Sequence, residues 1–328
     1  MAEGRGLYIV VNANAKRGGR RVAAQISRAL PGASVRLTRN AAELDGWLRS
    51  IPTPECVLAA GGDGSCVALL NALDRVVPEG DDFPVVGALP LGTGNAWAHA
   101  LGARKLDWCV RALKKIDGPI PTRRYAIFRC DGMLTFFGGC GWDAQILDDY
   151  RQQVEQSPSS RLAKSSLGYL TAMLFRTTPK TIVSGRAHVI IENLGDDVLT
   201  IDAERRLRRI DARRGTVLYE GLASVAGAAT CPEFGYGFRA YPHAERLLDR
   251  MNVRIYDRGA LGAIKDIPKL WKGTHPLRGM RDWFATAVRM TFSRPMPLQI
   301  GGEAIGTRQS VDYVISPRRV LVLDWRQL

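Results

Sequence analysis

The chain has 328 residues, with 46 Lys+Arg against 32 Asp+Glu, a formal charge of +14, and 46% hydrophobic residues. That balance excludes disorder over most of the chain, since there is enough apolar side chain to offset backbone ordering. At about 150 residues per domain, two domains are expected.

The predicted elements begin with Leu7–Val11, an apolar run of the kind found in parallel strands buried on both faces. A polar turn over Asn12–Gly19 follows, then a helix from about Arg20 to Leu30, a strand over Ala33–Leu37 and a helix over Ala41–Leu48. Cys56–Ala60 is a third strand that ends abruptly in glycine, Val67–Val77 a helix, Val85–Leu89 a fourth strand, and a further helix starts at Asn95. Strands alternating with helices imply a parallel sheet covered on both faces. After about Thr122 strand-like stretches dominate: Tyr125–Cys130, Thr135–Cys140, Thr181–Ile191, Thr216–Val225, Val253–Tyr256, Ala285–Phe292 and Val320–Leu323. Ala144–Val154, Ser160–Phe175 and Leu261–Trp271 read as helices. The expectation is an α/β N-terminal domain with a parallel sheet over residues 1–122. A mainly antiparallel β domain covers 123–306, with residues about 307–328 a candidate return to the first.

No apolar run approaches the roughly 18 residues a spanning helix needs, and the first residues lack a secretory core, so a soluble cytoplasmic protein is expected. Cys56, Cys66, Cys109, Cys130, Cys140 and Cys231 form no CxxC and no regular spacing, which favours reduced, buried thiols. His99, His188, His243 and His275 form no HxxxH or HExxH pair, so a His-ligated metal is not expected. The basic residues cluster at Lys16–Arg21 and again at Arg205, Arg206, Arg208, Arg209, Arg213 and Arg214. No aromatic residues interleave with the second cluster, which reads as an exposed strand pair or loop, and no nucleic-acid partner is expected. The positive excess still concentrates anions around the protein.

Two glycine turns carry the chemistry. Gly61-Gly62-Asp63-Gly64-Ser65 follows a buried strand and opens a helix, where glycines let backbone N–H groups approach a phosphate and the helix N-terminus favours its charge. The Asp63 carboxylate opposes an anion there. It fits either as a Mg²⁺ ligand or proton acceptor, or as a turn or N-cap residue. Pro90-Leu91-Gly92-Thr93-Gly94-Asn95 again joins a strand end to a helix start, with Thr93 and Asn95 as hydrogen-bonding side chains. Two such turns at the carboxyl ends of neighbouring strands face one crevice, where open α/β sheets bind ligands. Neither turn is GxGxxG or GxxxxGK[ST].

This pair of turns resembles the catalytic domain of diacylglycerol and sphingosine kinases and, more distantly, is similar to NAD kinases. Val11–Gly18 stands where that family has an Asn-Pro turn, and Gly139-Cys140-Gly141-Trp142-Asp143-Ala144 resembles its Gly-x-Gly-Phe-Asp-Ala. Leu167-Gly-Tyr-Leu170, Pro242–Ala244, Lys269–Gly273 and Gly302-Glu303 also have counterparts, so the likeness runs over nearly the whole chain. The resemblance implies ATP-dependent phosphorylation of a lipid hydroxyl, with nucleotide in an interdomain cleft and the β-rich domain forming the lipid pocket. It implies that Asn12, Gly61, Gly62, Gly64, Ser65, Gly92, Thr93, Gly94 and Asn95 hold the nucleotide. By the same resemblance Asp63 organises Mg²⁺ and the reacting phosphate, and Asp143 lies near the acceptor, its other reading being a cap of the helix that follows. Glu303 is a nucleotide or metal ligand or a surface turn residue, and Leu167–Phe175 is a lipid entry or a core-facing helix.

The family's Asp-Gly-Glu reads Gly301-Gly302-Glu303 here, so the expected proton acceptor is a glycine. Asp63 or Asp143 then serves as base, or turnover is slow. Ala13 replaces the expected proline, and Arg250 interrupts an Asp-Gly that would support a structural metal. Three functions follow: a lipid kinase visiting the inner membrane face through basic patches, a catalytically impaired binder of nucleotide or lipid, and a kinase for a soluble acceptor such as NAD.

Overall fold

A computed structural model describes residues 6–13, 19–92, 94–156, 185–235 and 237–328. Thr93, Lys16, Arg17, the expected helix over Ser160–Phe175 with its candidate lipid entry, and Thr181–Ser184 lie outside the described residues. The chain divides into two compact units, Met1–Ile127 with Ser316–Leu328, and Phe128–Ile315.

In the first unit, strands β1 (Leu7–Asn12), β2 (Ser34–Thr38), β3 (Cys56–Gly61) and β4 (Val85–Pro90) stand in the order β2-β1-β3-β4, all parallel. The chain's last strand, Val320–Leu323, pairs parallel with β4 and antiparallel with β5 (Thr122–Tyr125). All six residues of β3 are buried, as its uninterrupted apolar run requires of a central strand. Helices α1 (Gly19–Ala29), α2 (Ala41–Ser50), α3 (Asp63–Val76), α4 (Ala96–Ala100) and α5 (Leu106–Lys115) alternate with these strands. On α3 the buried residues include Val67, Leu70 and the neighbours Leu69 and Leu73, a wide apolar stripe at helical spacing. The C-terminal return is pinned by Arg318, which donates to the carbonyls of Val77, Pro78 and Asp81 just past α3 and lies 4.9 Å over the Phe83 ring.

In the second unit the strands are β6 (Phe128–Cys130), β7 (Met133–Thr135), β8 (Phe137–Gly141), β9 (Ala187–Asn193), β10 (Val198–Ile201) and β11 (Leu207–Ile210). They continue as β12 (Val217–Ala223), β13 (Val225–Ala229), β14 (Met251–Tyr256), β15 (Met280–Ala285), β16 (Ala287–Ile300) and β17 (Glu303–Ile315). These form one antiparallel sheet, with α6 (Trp142–Gln156) following β8 and α7 (Ala260–Trp271) between β14 and β15. Its core includes Phe128, Val189, Ile191, Val253, Trp283, Met290 and Tyr313. The expected α/β unit with a parallel sheet and the mainly antiparallel β region are both what the structure shows.

Several local expectations are corrected. The expected strand Tyr125–Cys130 is two, because Tyr125 ends β5 in one sheet while Phe128 opens β6 in the other. Thr135–Cys140 is likewise split at Phe136. The helix after the first turn starts at Asp63 rather than Val67, so Asp63, Gly64 and Ser65 are its first turn. The elements not foreseen include α5, β13, β15 and the long strand β17. The second arginine cluster does form an exposed strand and its flanks, with Arg206 and Arg208 on Asp202 and Arg209 on Asp197. All six cysteines are buried and unpaired. No helix among the described residues is long and apolar enough to cross a membrane.

Candidate functional site

The two turns meet because β3 and β4 are parallel neighbours whose carboxyl ends lie side by side, Gly61 opposite Pro90. The Gly61 carbonyl accepts the amides of Leu91 at 2.9 Å and Gly92 at 3.1 Å, which extends the ladder into the second turn. At this point the backbones touch: a Cβ on Gly92 would fall 2.5 Å from Gly62 Cα. Only hydrogen fits between them, so glycine is required on this face. Asn12, at the end of β1, donates its Nδ2 to Ser65 Oγ at 3.0 Å, bringing the third strand end into the same cluster.

Gly62 is the N-cap of α3 and supplies no side-chain cap. Ser65 accepts from Asn12, while its own amide donates to the Gly62 carbonyl at 3.0 Å. The first amides of a 14-residue helix therefore meet the turn without a capping oxygen from their own N-cap, the arrangement that attracts an anion.

Asp63 is not turned toward that anion. Its Oδ2 accepts the Ala96 amide at 3.0 Å and its Oδ1 the Trp97 amide at 2.9 Å. Of the two readings the turn left open, the geometry carries the cap, although the helix it caps is α4 and not its own. Burial pushes the Asp63 carboxyl above the ordinary carboxylate value, and the two amides pull it partly back. Asn95, the residue before α4, sits in the left-handed region at φ 53° and donates Nδ2 to the Gly92 carbonyl at 2.7 Å. Its Oδ1 is buried with no hydrogen-bond partner among the described residues. Gly64 is the second residue of α3 and Gly94 lies in the coil before α4.

In the second unit, Gly141 at φ 117° turns β8 into α6 and sets Asp143 in the first turn of that helix. Gln299 of β16 donates Nε2 to Asp143 Oδ2 at 3.3 Å, while Oδ1 is buried and without a partner among the described residues. Burial raises the Asp143 carboxyl to about 6, against the pull of the Ala144 amide and Gln299. Gln299 also accepts the Gly302 amide through Oε1 at 3.1 Å, so one side chain connects Asp143 to the β16–β17 hairpin. That hairpin turns through two residues, Gly301 at φ 57° and Gly302 at φ 82°, between the paired Ile300 and Glu303. Positive φ at both central positions is the type I′ turn. Glu303 is exposed at the start of β17.

Residues 6–122 match the diacylglycerol kinase catalytic domain. The resemblance read from the two glycine turns thus holds over the stretch that contains them. Within the diacylglycerol kinase catalytic domain family and its relatives, the Eye-specific diacylglycerol kinase of Drosophila melanogaster is 54% identical over 46 residues, which are 14% of this chain and 3% of that protein. Probable lipid kinase YegS of Shigella flexneri is 48% identical over 46 residues, 14% of this chain and 15% of that protein. The aligned stretches thus span a small part of those relatives. The fold likeness reaches further. A diacylglycerol kinase from Bacillus anthracis superposes with a TM-score of 0.61 at 11% identity, covering 99% of this chain and 98% of the other. An NAD kinase from Archaeoglobus fulgidus in complex with ATP gives 0.51 at 12% identity, covering 98% and 96%.

A nucleotide fits the residues of the first unit: a glycine contact that any Cβ would close, amides without a cap, and the orphaned Asn95 Oδ1 as an acceptor for a ligand hydroxyl or amine. A protein-built Mg²⁺ cage does not fit them. Asp63 keeps a lone pair on each oxygen beside the amide it accepts, but among the described residues no group of three or more His, Cys, Asp or Glu could hold a metal.

Proposed function

We propose that the chain is an ATP-dependent lipid kinase that phosphorylates a hydroxyl of a diacylglycerol- or sphingosine-like lipid. The observation that carries this reading is the contact of Gly62 with Gly92, which presents two backbone turns and the uncapped start of α3 to one anionic ligand. Residues 1–122 would hold the nucleotide and 123–306 the lipid. Asn12, Gly61, Gly62, Gly64, Ser65, Gly92, Thr93, Gly94 and Asn95 are the proposed nucleotide contacts. In the transfer, the acceptor oxygen bonds to the γ-phosphorus, the bond from that phosphorus to the bridging oxygen breaks, and ADP leaves. The acceptor proton goes to a carboxylate. Asp143 is the proposed acceptor, with its carboxyl raised to about 6 and an Oδ1 that has no partner among the described residues, whereas each Asp63 oxygen already accepts an amide of α4. Asp63 contributes by fixing the two turns against each other, so that stabilisation of the γ-phosphate charge is built in before ATP arrives. Mg²⁺ arriving with ATP would supply charge neutralisation at the phosphates. Glu303 is proposed as a further nucleotide or metal ligand. A cytoplasmic location with transient contact at the inner membrane face accords with a lipid acceptor and the basic composition.

Gly301 favours a second reading, since the hairpin turn offers no side chain where the family's Asp would take the proton: a nucleotide or lipid binder with little turnover. Labelled ATP incubated with a lipid extract and with NAD separates these. Label in lipid supports the kinase, label in NADP moves the acceptor to a soluble molecule, and label in neither supports the binder. Gly92→Ala should abolish ATP binding in every case; unchanged binding would refute the paired-turn cradle.

A further inference from the structure

The second unit holds a pocket of about 470 Å³ whose lining includes Arg205, Arg239, Arg246, Lys272, His243 and Thr274. These residues come from three places: the β10–β11 turn, the loop and 3-10 turn before β14, and the end of α7. The backbone joins two of them, since the Arg239 amide donates to the Trp271 carbonyl at 3.5 Å. Arg246 Nη1 donates to the Arg205 carbonyl at 2.6 Å, and Arg205 reaches the His275 carbonyl at 3.3 Å.

Among the described residues four cations line this pocket and no carboxylate does. The acidic residues beside Arg205 are already occupied: Asp202 pairs with Arg206 and Arg208, and Glu204 with Arg206. Behind the pocket, Asp282 is matched by Arg254 at 2.7 Å. A helix C-terminus attracts a cation, which accounts for Lys272 at the end of α7 but for none of the arginines. Converging arginines without counter-charges repel one another, and such a cluster is neutralised by a bound anion. A second observation points the same way. His243 is 8% exposed, lines the pocket, and leaves its Nε2 buried with no hydrogen-bond partner among the described residues.

We propose that this pocket binds the phosphate group of a monoester, with Arg205, Arg239, Arg246 and Lys272 taking its charge and Thr274 and His243 its remaining oxygens. The proposal does not rest on the paired glycine turns, because its observations are the lining of this pocket and the buried His243. Burial pulls His243 down to about 4, so it is neutral in the empty pocket and its Nε2 can donate in the matching tautomer. The same chemistry comes from a lipid headgroup or a soluble phosphate ester. Trp271, 45% exposed beside Lys272, and Leu248, 54% exposed two residues after Arg246, are the apolar neighbours that a lipid surface would cover.

The test uses the full chain at about 150 mM salt, where a Debye length of about 8 Å screens diffuse attraction. Glycerol 3-phosphate is titrated by calorimetry, and phosphatidylcholine vesicles with and without phosphatidate are used in co-flotation. Arg239→Gln with Arg246→Gln should weaken binding about 10–100-fold. Arg213→Gln with Arg214→Gln removes the same charge from exposed residues outside the pocket and should change it less than about twofold. If the first pair loses its cooperative unfolding transition, Lys272→Gln replaces it. Loss in the calorimetric arm assigns a soluble ester, and loss confined to flotation assigns a headgroup. No binding in either arm, or equal effects of the two double variants, overturns the proposal.

Discussion

The Trp97 amide donates to Asp63 Oδ1 at 2.9 Å, so the first residue of one helix caps the start of the next helix but across the sheet ends. With the Ala96 amide on Oδ2, the carboxylate bolts the second glycine turn to the first. Asp63→Asn keeps one accepting oxygen and Asp63→Ala none. The alanine variant should lose about 1–2 kcal/mol of stability, and the asparagine variant less. Both should bind ATP more weakly in the same order, measured by calorimetry without acceptor. A variant with unaltered ATP affinity and a lowered kcat alone would instead make Asp63 a participant in the chemistry.

Asp143 gives the protein a pH signature. Its carboxyl stands at about 6 in the fold against an ordinary value of 3.8, because burial penalises the charge. Between those two values the unfolded chain releases the proton while the folded protein keeps it, so stability falls as pH rises through this window and is level above it. Asp143→Asn can still accept from Gln299 and does not titrate. Its stability relative to the parent should therefore rise between pH 4 and pH 7 by roughly 2–3 kcal/mol, read from urea midpoints. A difference that does not change with pH would show the carboxyl to be ordinary. If Asp143 is also the proton acceptor, the same variant loses about 10²–10⁴ in kcat, and the parent's rate rises with pH through about 6.

How much of this was legible in the sequence depends on the range of the interaction. Cys56–Ala60 reads as a central strand because its burial on both faces leaves an unbroken apolar run. The two glycine turns are legible for the same local reason. Asp63 is different: its partners Ala96 and Trp97 are more than thirty residues away, and nothing in a turn sequence says which amides a carboxylate will meet. The raised value of Asp143 comes from burial, and the side chain that pulls against it, Gln299 of β16, stands 156 residues later. Strand β17 escaped notice because it is half exposed, with Thr307, Gln309 and Ser310 diluting its apolar face. Helix α5 carried a readable signal, with Cys109, Val110, Ala112 and Leu113 buried at helical spacing, and Asp107 in its first turn.

Arg254 and Asp282 form the buried ion pair of the second unit, 5% and 0% exposed, with Nε–Oδ1 at 2.7 Å and Nη2–Oδ2 at 2.8 Å. Burial alone would raise Asp282, but Arg254 and the Asn252 amide hold it below the ordinary carboxylate range. Asp282→Ala leaves a buried guanidinium uncompensated and should cost about 3–5 kcal/mol. The exposed pair Arg289–Asp312 has the same 2.7 Å contact, yet Asp312→Ala should cost less than about 1 kcal/mol. Equal losses in thermal unfolding would mean that burial does not set the value of the pair.

Gly301 and Gly302 occupy the two central positions of a turn that needs positive φ at both. Asp-Gly is among the favoured pairs for this turn, so Gly301→Asp restores a carboxylate without changing the hairpin. The turn is anchored independently of that side chain, through the Gly301 amide on the Phe137 carbonyl at 2.9 Å and the Gly302 amide on Gln299. Unfolding temperature should therefore move little. If the kinase lacks only a proton acceptor at this position, Gly301→Asp should raise kcat by about 10²-fold or more with little change in the KM for ATP. An unchanged kcat in a well-folded variant would leave proton removal to Asp143. The double variant Gly301→Asp with Asp143→Asn decides between them, since a transplanted base rescues the loss and a residue that only orders the site does not.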